Sequence, residues 1–125
     1  MVKWDDETPF ASLLYGGNAR RWEALLLSAG GNDLIAAINT PPTEDDATKS
    51  ALRLLRTPDE RAGVPVADDC SHYVRPEGWA AFQNTILACF ASLAEKRDGA
   101  GSLSKETPIL IHSYDYAQPR NAPAT

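Results

Sequence analysis

Basic charge is in short supply in this chain. Twelve lysines and arginines stand against 17 aspartates and glutamates in 125 residues, a formal net charge of −5. An acidic surface repels phosphate backbones and anionic headgroups alike, so neither a nucleic acid nor a membrane surface is expected as a partner. Long hydrophobic runs are missing too: no stretch of about 18 apolar residues exists to span a bilayer. The opening "MVKWDDETPF" carries no apolar segment of signal-peptide type. The chain therefore reads as soluble and cytoplasmic, unless its natural N-terminus lies further upstream. Cysteine is scarce as well. Cys70 and Cys89 are too few for a disulfide scaffold and lack metal-site spacing, so they read as a loop thiol and a helix-packing thiol. No internal repeat and no cofactor motif occurs.

What is present is ordinary globular material, 43% hydrophobic and 23% charged, enough for one modest core. Residues 5–15 suit a short helix, with Pro9 in its first turn, Phe10, Leu13 and Leu14 as an apolar stripe, and Gly16-Gly17 as its end. Residues 24–28 are too short for an independent helix and read as a buried strand. Asn32 or Asp33 then caps a helix through about Ile38, which Pro41 and Pro42 stop. A further helix is expected over residues 43–55, acidic at its start and basic at its end. Residues 57–75 should be mostly loop. The longest element is a helix over residues 77–96, where Trp79, Phe82, Ile86, Leu87, Phe90, Leu93 and Ala94 recur at three- and four-residue intervals. Trp4, Trp22 and Trp79 are expected to cover the core. Residues 98–107 read as a flexible connection, residues 108–111 as a second short strand, and the tail as irregular.

Strand, helical crossover and strand together indicate an α/β fold with parallel strands. Ligands of such sheets bind outside the carboxyl ends of the strands. Two polar constellations fall there: Gly30-Gly31-Asn32-Asp33 after the first strand, and His112-Ser113-Tyr114-Asp115-Tyr116 after the second. Glycines allow a tight turn and a close ligand approach, and an Asn amide offers N–H donors without charge. This is oxyanion-hole chemistry: a fixed neutral donor at a strand end stabilises the negative charge that develops on a tetrahedral intermediate. Asp33 is better suited to organising the turn than to acting as acid or base. His112, with Asp115 nearby, is open to three roles: a buried residue bonding to backbone, a pocket-lining residue, or a base. Tyr114 and Tyr116 read as packing residues.

The run "LLLSAGGNDLI" resembles block III of the SGNH (GDSL-type) hydrolases, whose Gly-x-Asn-Asp motif is matched by Gly30, Gly31 as x, Asn32 and Asp33. The later "PILIHSYDYAQPRNAPA" is similar to the strand and polar loop that follow in one bacterial branch of that superfamily. The resemblance implies a three-layer α/β/α fold of flavodoxin-like type and serine esterase chemistry on a small-molecule or carbohydrate ester, with no cofactor. It implies Asn32 as oxyanion donor and Gly30, Gly31, His112 and Asp115 around the substrate. Two departures stand beside it. No Gly-Asp-Ser nucleophile motif occurs in these residues, and no Asp-x-x-His pair follows the last strand. The literal match Asp69-Cys70-Ser71-His72 lies between the strands and reads as a loop cap. The expectation is thus a single partial domain, inactive in isolation. The competing expectation is a non-catalytic binding or structural module using the same pocket, either an oligomer or one whose sheet a partner chain completes.

Overall fold

Two strands of three residues, β1 (Leu25–Leu27) and β2 (Ile109–Ile111), pair in parallel, with Leu25 opposite Ile109, Leu26 opposite Leu110 and Leu27 opposite Ile111. This computed structural model describes residues 9–28, 30–67 and 70–111. Around the strands lie α1 (Pro9–Leu14), α2 (Gly31–Asn39), α3 (Ala47–Ala51), α4 (Pro58–Arg61) and α5 (Pro76–Asp98). The result is a small α/β domain with the parallel pairing expected from two short apolar runs separated by helices.

Parallel neighbours cannot be joined by a tight turn, so their register must be fixed from outside the strands. Here hydroxyl groups do it. The Ser104 hydroxyl donates to the Arg20 carbonyl at 2.9 Å and accepts from the Trp22 N–H at 3.1 Å. The Thr107 hydroxyl donates to the Trp22 carbonyl at 2.9 Å, and the Leu25 N–H continues the ladder to the Pro108 carbonyl at 2.9 Å. Ser104 is 0% exposed, and Ser102 and Thr107 are buried with it. Residues 98–107 are therefore not the flexible connection their glycines and serines suggested. The Ser104 hydroxyl both donates and accepts, which lets a polar segment bury itself against extended backbone. Arg97 and Asp98 hold the same segment from the helix side: Arg97 donates to the Thr107 carbonyl at 2.9 Å, and the Asp98 carboxylate accepts from the Glu106 N–H at 2.8 Å.

The strands are less buried than their composition suggested. Leu26 is 83% exposed and its partner Leu110 is 53% exposed, while Leu25, Leu27 and Ile109 are half-buried. Parallel sheets ordinarily carry helices on both faces. Among the described residues, no helix makes more than slight contact with this one.

A second anchor sits at Arg53. Its buried guanidinium grips Glu60 through two bonds of 3.0 and 2.5 Å and also donates to the Leu55 carbonyl at 2.8 Å. Glu60 in turn closes a capping box with Thr57, accepting the Thr57 N–H at 2.7 Å while the Glu60 N–H reaches the Thr57 hydroxyl at 3.2 Å. This builds α4 inside residues 57–75, where mostly loop was expected. Thr57-Pro58-Asp59-Glu60 carries the Thr-x-x-Glu signature with proline at the first helical position. The helix expected over residues 43–55 is likewise shortened to α3. Asp46 caps it by accepting from Thr48 and Lys49. Beyond Leu52 the chain straightens because tertiary bonds compete with the helix: the Leu54 N–H donates to the Ala37 carbonyl, and Leu55 bridges Val74 in antiparallel fashion.

Helix α5 covers the expected element and extends it by one residue at the start and two at the end. Leu93 is fully buried, Phe82, Ile86 and Phe90 are half-buried, and Trp79 is 44% exposed, stacked on Phe82 at 5.9 Å. The apolar stripe is thus only partly covered. Trp22 is half-buried, so neither Trp22 nor Trp79 covers the core as expected, and Trp4 lies outside the described residues. The closest approach is at Gly78, where a Cβ would collide with the Arg53 carbonyl and come within 3.6 Å of the Leu54 Cα. At the other end of α5 the Tyr15 hydroxyl donates to the Lys96 carbonyl.

Gly78→Ala should therefore destabilise the chain by about 1–3 kcal/mol through overpacking. A helix-interior Gly→Ala elsewhere would be stabilising by roughly 1 kcal/mol. Urea unfolding of the variant checks the sign, with Gly63→Ala, in the turn after α4 and meeting nothing within 4 Å, as an open-position control.

Glu60 and Asp98 generate an acid-stability prediction. Hydrogen bonds from Arg53 and the Thr57 backbone hold the Glu60 carboxyl at about 2, and bonds from Arg97 and the Glu106 backbone hold Asp98 at about 2. Both values are depressed by folding, so the stability they supply is fully present above the ordinary carboxyl range. It is lost as pH falls towards about 2. Glu60→Gln should flatten this part of the stability-pH curve and leave the portion due to Asp98, as read by urea midpoints between pH 5 and pH 2.

Candidate functional site

The candidate site begins where β1 stops. After Leu27 and the exposed Ser28 the chain reaches Gly30, whose φ of +95° and ψ of −21° are left-handed and suited to glycine. Gly30 is the N-cap of α2, and the Leu34 N–H closes the first helical bond to its carbonyl at 2.9 Å. Asn32 and Asp33, expected to cap this helix, instead stand inside its first turn. The physical reason lies in the backbone: the left-handed glycine reverses the chain two residues earlier than a side-chain cap would.

That reversal determines what the turn offers. The first N–H groups of a helix have no partner within it, and among the described residues no side chain caps those of α2. Gly31, Asn32 and Asp33 therefore present a row of backbone donors at the positive end of the helix dipole. Asn32 is exposed, and its amide has no partner among the described residues. The exposed Asp33 carboxylate sits in the first turn, where it favours the dipole without closing a cap. Behind the turn, Ile86 of α5 supports Gly30: a Cβ built on the glycine would lie 3.9 Å from Ile86 Cδ1. The periodicity of α5 marked Ile86 as a packing residue, but nothing in the pattern pointed to this turn.

Beside the turn, Leu27 and Ile111 end the two strands level with one another. Leu26, Leu27, Ser28, Leu110 and Ile111 line an open, mostly apolar depression of about 360 Å³ there. A neutral donor row next to an apolar cleft suits an uncharged acyl group whose carbonyl oxygen gains charge during reaction. His112 and Asp115, expected to face Asn32, lie outside the described residues, as do Tyr114, Tyr116 and Asp69.

His72, the other histidine, has a structural position. Its Nδ1 donates to the Val64 carbonyl at 3.0 Å and its ring meets Tyr73 edge-on at 4.8 Å, while Arg61 lies 5.4 Å over that tyrosine. These contacts tie His72 into the loop before α5. Cys70 is an exposed free thiol and Cys89 a half-buried one on α5. No group of three metal-ligating side chains occurs among the described residues, and no described helix is long and apolar enough to cross a membrane.

The left-handed turn is testable by itself. Gly30→Ala should cost about 1–2 kcal/mol, the strain of a Cβ at positive φ, because 3.9 Å to Ile86 leaves ordinary room for the methyl group. Gly30→Asn should lose less, since Asn tolerates this region. Amide exchange at Gly31 to Leu34 and the urea midpoint of each variant check the order. Comparison with protein-family models, with curated proteins and with solved structures finds no match for this chain, so the reading of the site rests on its residues and their geometry.

Proposed function

We propose that this chain supplies the oxyanion-stabilising part of an SGNH-type serine ester hydrolase, acting on a small-molecule or carbohydrate ester within a three-layer α/β/α arrangement. One observation carries the reading. The Gly-x-Asn-Asp segment stands at the carboxyl end of a parallel strand as a left-handed glycine turn, with the Asn32 amide exposed and uncommitted at the start of α2. In this reading Asn32 and the first-turn N–H groups hold the substrate carbonyl oxygen as it becomes an oxyanion, and Gly30 and Gly31 keep side-chain bulk away from it. Asp33 supports the turn, and His112 and Asp115 border the substrate. The attacking serine and the histidine that serves as its base are supplied from outside these residues.

The second reading, a non-catalytic module or a sheet completed by another chain, has one observation in its favour. Leu26 and Leu110 present an uncovered apolar sheet face beside the same cleft.

Two measurements separate the readings. The purified chain should show no labelling by a fluorophosphonate probe and no hydrolysis of p-nitrophenyl acetate above buffer; stoichiometric labelling at Ser28 or Ser71 would mean a different active site. In an enzyme assembled with the nucleophile, Asn32→Ala should lower kcat by about 10²–10³ with KM nearly unchanged, because the donor acts on the transition state. An Asn32→Ala variant with full kcat would leave the module reading standing.

A further inference from the structure

A polar groove of about 610 Å³ opens at the amino ends of the strands, away from Asn32, between residues 21–23 and 105–108. Arg21, Trp22 and Glu23 form one wall, and Lys105, Glu106 and Thr107 the other. Each wall carries one cation and one carboxylate. The four charged residues are exposed, and among the described residues none of their side chains makes a hydrogen bond or an ion pair within 4 Å, while Glu106 and Lys105 act on Arg97 and Asp98 of α5 at longer range. The neighbouring charges on α5 are already committed: Arg97 and Asp98 bind one another through bonds of 2.7 and 2.5 Å, and each also holds the backbone of residues 106–107.

Opposite charges on flexible side chains collapse into pairs where their backbones permit it. Here the backbones are fixed. The Ser104 and Thr107 hydroxyls lock both walls to one another, the Trp22 indole N–H is tied to the Leu13 carbonyl at 3.0 Å, and Glu106 is held by Asp98 at a left-handed φ of 61°. The groove presents two positive and two negative exposed groups, a net charge of zero. A purely anionic ligand would meet both carboxylates, and a purely cationic one both Arg21 and Lys105. A ligand bearing both signs satisfies all four. The volume lies within the range of about 300–1,000 Å³ usual for small-molecule sites.

We propose that this groove binds a small zwitterion of the α-amino-acid class, its carboxylate received by Arg21 and Lys105 and its ammonium group by Glu23 and Glu106. The site is independent of the ester-hydrolase reading and lies at the other end of the strands. The test is an amide and indole NMR titration of the intact chain with L-alanine, with acetate and methylammonium at matched ionic strength as half-ligands. Saturable shifts should appear at Trp22, Glu23 and residues 105–107 with alanine. Arg21→Gln and Glu106→Gln should each weaken binding about tenfold or more, the effect of one charge-assisted hydrogen bond, and each half-ligand should bind more weakly by a similar factor. Asn32→Ala should bind as the parent does. Absence of saturable shifts up to about 10 mM, where a Kd near 1 mM would be visible, overturns the proposal. So does acetate shifting the same residues as strongly as alanine, or unchanged binding in both charge variants, whose exposed side chains can be replaced without disturbing the core.

Discussion

The buried hydroxyls of Ser104 and Thr107 are the constraint on which the rest of the arrangement depends. Two three-residue strands far apart in the sequence cannot find one register through their own few ladder bonds, and a one-residue slip would exchange the faces of every leucine and isoleucine. Ser104 and Thr107 remove that freedom by binding the backbone of Arg20 and Trp22 just ahead of β1. With the amino ends fixed, the carboxyl ends must finish level, which sets the Gly30 turn beside Ile111 and opens the apolar cleft there. The same bonds hold the walls of the charged groove at the opposite end. One small polar contact therefore organises both candidate sites.

Arg53 plays the corresponding part for the helices. Its buried guanidinium joins α4 to the segment that follows α3, its carbonyl accepts from Arg75 at 3.1 Å, and the same carbonyl is the surface against which Gly78 of α5 packs. A buried cation stays stable only where its donors are satisfied, and Glu60 with the Leu55 carbonyl satisfies much of this one. Among the described residues few apolar side chains are fully buried. Polar bonding at two points compensates for an apolar sheet face that remains open.

Several features were legible in the residues alone because they depend on local periodicity and on glycine and proline. The long α5, the two short apolar strands, their parallel relation and the turn at Gly30-Gly31 follow from spacing and from the need to reverse the chain. The capping box at Thr57 and Glu60 was equally local and was hidden only by the prolines around it. The misplaced cap of α2 has a different cause. Asn and Asp are good caps, but a left-handed glycine just before them reverses the chain first, and sequence pattern does not order those two preferences.

By itself the sequence determined the element types and the chemistry on offer at one strand end: an uncharged amide beside two glycines, in an acidic chain without a Gly-Asp-Ser motif. Tertiary structure decided which polar residues are buried, since Ser104 looks like a surface residue until the distant backbone of Arg20 and Trp22 supplies its partners. It also decided that Leu26 and Leu110 face outward and that four charges share one groove. Those outcomes depend on contacts between segments some eighty residues apart, as in the bond from the Trp22 N–H to Ser104. Hydrophobic periodicity describes only a segment's own faces and carries no record of what each face will meet.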